Sequence, residues 1–185
     1  MSRDTTHKSC MTLNLGNYLE FLRAVEQDPS KARFSFSAKT SWKGGAATET
    51  VARDRVIAAD EPEAFGGGDT AADPVELVLA ALTSCVSIGL VTQAAKRGVD
   101  FEDFEMEVVG DMDLRGYLGL DDEVRPGYEK LEYVVRVKTD APESLVAEML
   151  AAAERTSPMF DTIRNGVAVS SRLEVLPASR VPALV

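Results

Sequence analysis

A chain of 185 residues that is 45% hydrophobic has material for one well-packed domain, with room for an appended segment. Its 20 basic against 30 acidic side chains leave a net charge of −10, which repels phosphate backbones and anionic membrane surfaces, and no basic patch offsets it. Nucleic acid and membrane are therefore not expected as partners.

Cys10 and Cys85 are the only cysteines and His7 is the only histidine. That is too few for a tetrahedral zinc site, and it leaves no Cys-His or Ser-His nucleophilic pair unless His7 folds back. Gly66-Gly67-Gly68 lacks the Lys-Ser/Thr of a phosphate loop and the spacing of a dinucleotide fingerprint. No metal or cofactor is expected. The N-terminus, MSRDTTHKSCMTLNLGNYLEF, has no continuous apolar region followed by a small-residue cleavage site, so cytoplasmic residence is expected and a structural disulfide is not.

In chain order, residues 17–28 place Tyr18, Phe21, Leu22 and Val25 at helical spacing, with Asn14 or Asn17 as a cap and Pro29 as the stop. Residues 33–42 alternate Phe34, Phe36 and Ala38 with polar neighbours, Gly44-Gly45 reads as a turn, and residues 48–58 resume an extended pattern. This predicts a hairpin. Residues 61–73 read as a loop.

A helix starts at Asp73-Pro74-Val75-Glu76: Asp73 caps, Pro74 suits the first helical position, and Glu76 can reach back to close a capping box. From Leu77 to Ala95 there is no charge, and Gly98 ends the run. Nineteen uncharged residues suffice to span a bilayer, but Thr83, Ser84, Ser87, Thr92 and Gln93 favour the central helix of a soluble fold. Without a solvated face it is expected to be buried on nearly all sides. Cys85 sits at its middle. Ala81, Cys85 and Gly89 form a stripe of small residues that admits another backbone or a sheet.

Two alternating segments follow, from Phe101 and from Glu129, the second with Leu131, Tyr133, Val135 and Val137 on one face. The eighteen residues from Asp111 to Tyr128 separate them, a length associated with function or disorder. Asp140-Ala141-Pro142-Glu143 reads as a second capping box, opening a helix that ends at Ser157-Pro158. Residues 166–176 read as a final strand with Val167, Val169, Leu173 and Val175 on it. Strands in runs separated by whole helices make the fold α+β. Residues 1–30 are read as an N-terminal extension with a short helix, and residues 31–185 as the domain.

Over roughly Arg33 to Leu176 these residues resemble the OsmC/Ohr superfamily, named for the osmotically inducible protein C and the organic hydroperoxide resistance protein. The resemblance is carried by Asp73-Pro74-x-Glu76-Leu77-x3-Ala81-x3-Cys85 and by Ser157-Pro158-Met159-Phe160-Asp161 with Asn165-Gly166-Val167. The segments Gly110–Leu120 and Val124–Tyr128 are similar to a longer-loop branch of that superfamily. The resemblance implies two central helices packed against antiparallel sheets in an intertwined homodimer, with each thiol site at the subunit interface. It implies that Cys85 is the peroxidatic nucleophile, oxidised to a sulfenic acid.

Three departures from the superfamily pattern stand out. Ser157 occupies the place of the resolving cysteine. The glutamate that precedes the nucleophile by ten residues in hydroperoxide-resistance members is here Val75, and Glu76 is one place later. Nine helical residues put Glu76 on the side opposite Cys85, about 13.5 Å along the axis. The first hairpin offers Lys43 where the superfamily has an arginine, which leaves Arg53, Arg55, Arg115 or Arg125 as substitutes.

Two readings follow. In one, the protein is a one-cysteine (organic) hydroperoxide reductase with an external thiol as reductant. In the other, it is a non-catalytic homodimer that binds a small apolar molecule and keeps a vestigial thiol. Glu76, Arg115, Tyr117, Arg125, Tyr128 and Ser157 are candidate assisting or pocket residues, with a capping box for Glu76 and the pinning of a loop for the tyrosines and arginines as plainer roles. Cys10 reads as an exposed terminal thiol or as a distant resolving partner.

Overall fold

The computed structural model describes residues 9–177; His7 lies outside that range. Asn14 caps the first helix by accepting from the Asn17 amide, so α1 runs Leu15–Gln27, two residues earlier than its apolar spacing suggests. A single turn of 3-10 helix at Pro29–Ala32 follows.

The first sheet has three strands where a two-stranded hairpin was expected: β1 (Lys39–Gly44), β2 (Ala47–Ala52) and β3 (Arg55–Ala59), antiparallel in the order β1-β2-β3. Gly44 and Gly45, at φ 112° and 56°, make the first turn. The second turn is at Arg53-Asp54, with Arg53 in the left-handed region at φ 58°. Residues 33–38 are not a strand; Phe34 stacks between Phe21 and Phe36 on the surface, at centroid separations of 5.9 and 6.4 Å.

The long helix α2 spans Pro74–Arg97, and both of its caps form as read. The Val75 amide donates to Asp73 Oδ1 (2.9 Å), the Asp73 amide donates to Glu76 Oε2 (3.0 Å), and Gly98 closes the end at φ 67°. Strands β4 (Asp103–Asp111) and β5 (Lys130–Lys138) pair antiparallel from Asp103↔Lys138 to Asp111↔Lys130. A short helix α3 (Leu114–Tyr117) orders the long connection between them. Helix α4 (Glu143–Thr156) has Pro142 at its N-cap and no side-chain cap bond, so the second capping box is not formed: Asp140 lies too far outside the helix to supply it. A further helix, α5 (Pro158–Asn165), begins at once after it, with Ser157 as its cap.

Helices α2 and α4 pack on each other, with β4 behind α2. Leu90 and Ala94 of α2 meet Met149 and Ala153 of α4, together with Phe101 and Cys10, in the core. The close approach is made at Gly89, where a Cβ would stand 3.1 Å from Ala153 Cβ. The small-residue stripe on α2 therefore faces α4 of the same chain.

Three expectations change here. Helix α2 is not buried all round: Leu82, Val86, Leu90, Ala94 and Ala95 are buried, but Ala80, Ser84 and Ile88 form an exposed stripe. The helices lie on the β4–β5 sheet alone, while β1–β3 pack chiefly on one another and leave Trp42 exposed. Residues 166–177 form no strand and pair with none of the described strands.

Candidate active site

Two anchors fix the start of α2. Asp60, buried at the end of the first sheet, collects four donors: the Glu61 amide (2.9 Å), the Gly68 amide (3.1 Å), the Thr70 amide (3.2 Å) and the Thr70 hydroxyl (2.7 Å). These bonds hold its carboxyl below the usual aspartate range, the Thr70 hydroxyl contributing most. The Asp60 amide also donates to the Ala72 carbonyl, so residues 60–72 close on themselves just before Asp73. Gly67 is required there, since a Cβ would collide with the Glu61 backbone at 1.8 Å. The second anchor is Tyr128, whose hydroxyl donates to the Val75 carbonyl at 3.0 Å. Burial, then the carboxylates of Asp73 and Glu76, keep that phenol protonated beyond its ordinary range.

Cys85 lies three turns into α2, half-buried, one turn before Gly89. Ser157, which is buried, faces it from the α4–α5 junction and donates its hydroxyl to Cys85 Sγ at 3.2 Å. The same oxygen accepts from the Phe160 amide at 3.2 Å, the cap bond of α5. The sulfur thus sits beside a helix N-terminus and a fixed hydroxyl, in partial contact with solvent. Among the described residues no arginine or carboxylate hydrogen-bonds to it.

The other candidate residues are placed elsewhere. Glu76 closes the capping box. Arg115 is held by Asp113 (2.6 Å) and Asp121 (3.4 Å), and its guanidinium draws the Asp113 carboxyl down to about 2. The Tyr117 ring meets Phe65 edge-on at 6.3 Å, and Arg125 is exposed, its backbone packed against Gly116. Arg115, Tyr117, Arg125 and Tyr128 therefore order the long connection and tie it to the start of α2; none of them hydrogen-bonds to the thiol.

The OsmC-like protein family profile matches residues 66–172, more than half of the chain and including both Cys85 and Ser157. The chain belongs to the OsmC-like family. Its fold is similar to that of an OsmC-like protein from Mycoplasma pneumoniae (12% identity, TM-score 0.62, 71% of this chain and 88% of that one). It is similar also to an OsmC-like protein from Vibrio cholerae (19% identity, TM-score 0.58, 70% and 94%) and to an organic hydroperoxide resistance protein OsmC from Legionella pneumophila (20% identity, TM-score 0.52, 72% and 91%). No curated protein matches the sequence.

In this OsmC-like chain Cys10 is not an exposed thiol. It is buried in the core, its amide donating to Asp100 Oδ1 at 2.7 Å. Burial first, and the Asp100 carboxylate besides, push its thiol up. Asp60 escaped the sequence reading altogether. The one available signal was a lone carboxylate closing an apolar strand and followed by Gly68 and Thr70.

Proposed function

We propose that this protein is a one-cysteine thiol-dependent peroxidase acting on organic hydroperoxides in the cytoplasm, as a homodimer, with residues 1–30 an extension to the catalytic domain. Cys85 is the nucleophile. Its thiolate attacks one oxygen of ROOH; the O–O bond breaks, that oxygen stays on sulfur as Cys85–SOH, and RO⁻ takes a proton to leave as ROH. An external thiol then condenses with the sulfenic acid, releasing water and leaving a mixed disulfide. A second thiolate attacks that disulfide, returning Cys85–SH and a small-molecule disulfide.

The observation that supports this reading is the Cys85 site itself. A half-exposed thiol on the central helix of an OsmC-like chain has a hydroxyl, not a second thiol, 3.2 Å from its sulfur. Ser157 cannot close a disulfide, so reduction has to come from outside the chain.

Titration with cumene hydroperoxide followed by intact mass tests it. Wild type and Cys10→Ser gain one oxygen, reversed by added thiol, and Cys85→Ser gains none. A folded wild-type protein whose Cys85 stays a thiol under excess peroxide overturns the reading. The apolar-ligand reading then takes its place, read as saturable thermal stabilisation that survives Cys85→Ser.

A further inference from the structure

We propose that Ser157 acts on the Cys85 sulfur as a dedicated hydrogen-bond donor, readying it as a nucleophile where, among the described residues, no arginine or carboxylate hydrogen-bonds to it. This rests on the peroxidase reading above, and it adds a residue whose role is chemical, not covalent.

The hydrogen-bond geometry assigns the proton. A serine hydroxyl has one hydrogen to give. Its oxygen already accepts from the Phe160 amide, and the residue is 4% exposed, which leaves little room for water. Cys85 Sγ, at 3.2 Å, is the acceptor that remains. A donor aimed at sulfur favours the charged form over the neutral one, and a helix N-terminus beside it acts in the same sense.

The contact is also rigidly framed. Gly89 is one turn after Cys85 and Ala153 one turn before Ser157, and those two residues bring α2 and α4 close together, a Cβ on Gly89 standing 3.1 Å from Ala153 Cβ. The packing that lets the helices touch at Gly89 therefore sets the distance between oxygen and sulfur. Since the hydroxyl cannot condense with a sulfenic acid, the same residue that readies the sulfur leaves its oxidised form open to an external thiol.

The test compares wild type with Ser157→Ala and Ser157→Gly. Alanine removes both the donor and the α5 cap; glycine removes the donor but is nearly as good a cap, so it keeps the fold. Iodoacetamide alkylation, read on the Cys85 peptide from about pH 5 to about pH 10, reports how much thiolate is present. Both variants are expected to shift the rate profile to higher pH and to react roughly three- to tenfold more slowly near pH 7. Profiles that superimpose on wild type overturn the proposal, and so does a shift seen in Ser157→Ala but not in Ser157→Gly, since glycine keeps the α5 N-terminus in place and removes only the donor. The same proteins are titrated with cumene hydroperoxide. A wild-type Cys85 that alkylates but gains no oxygen defeats the peroxidase reading, while the alkylation comparison still decides the role of Ser157.

Discussion

Exchanging one oxygen for sulfur at position 157 converts the Cys85 site into a different machine. Oγ and Sγ are already 3.2 Å apart, and a disulfide needs its sulfurs at about 2.05 Å, a gap that the longer C–S bond and a small rotation of each side chain cover. Ser157→Cys is therefore expected to form an intramolecular disulfide after one equivalent of hydroperoxide. Intact mass shows it as the loss of two hydrogens in place of the gain of an oxygen, and thiol counting as the loss of two thiols. A variant that still accumulates the sulfenic acid at Cys85 would show the two side chains to be held apart in solution. The meeting of these residues was legible only through the family pattern, since they are 72 positions apart and no periodicity links them. The burial of Cys10 was not legible at all, because what buries it, Asp100 and Phe101, lies some ninety residues on.

At the scale of elements, what could be read was what is local. The capping box of α2 needs only Asp73, Pro74 and Glu76, all within one turn, and it formed as expected. The turn at Arg53-Asp54 carries no glycine or asparagine, and with Arg53 at φ 58° its only signal in the sequence was Asp54, too weak to divide the extended pattern of residues 48–58. Helix α5 did leave one: Ser157-Pro158 repeats the cap-then-proline start of α2, but it reads equally as the end of α4. The loop before α2 gives a prediction of its own. In Asp60→Asn one carboxylate oxygen becomes an NH2 that faces amide and hydroxyl donors, so the variant loses acceptors it cannot replace. Its melting midpoint at pH 7 is expected to fall by roughly 3–10 °C. Because the folded protein holds Asp60 below the ordinary aspartate value of 3.8, its contribution is fully present above that value and is lost as the pH falls through the lower, folded one. The difference between wild type and variant should therefore narrow below about pH 4. Thermal melts across that range that keep a constant gap would exclude the carboxylate as the anchor.

At the scale of the whole molecule, a single copy leaves too much apolar surface in water. The chain exposes 14589 Å², against about 8,700 Å² for a compact 20.0 kDa monomer. An excess of several thousand Å² is of the order that the proposed homodimer would cover. The residues whose sequence pattern and surroundings disagree are Ile88 (65% exposed) on an otherwise apolar helix, and Val169 and Val175 (88% and 83%) on an extended segment with no sheet. The sequence patterns suggested a strand over residues 166–176 and a helix covered all round, and the single chain forms neither. In the proposed homodimer a second copy would pair with residues 166–176 and cover Ile88. Sedimentation at micromolar concentration is expected to give twice 20.0 kDa, and a wild-type monomer under those conditions would sink the proposal. Charges on truly exposed positions change stability by less than about 0.5 kcal/mol. Ile88→Asp and Val169→Asp should instead each shift the protein toward monomer and lower its melting midpoint, since each would bury an unpaired carboxylate between subunits.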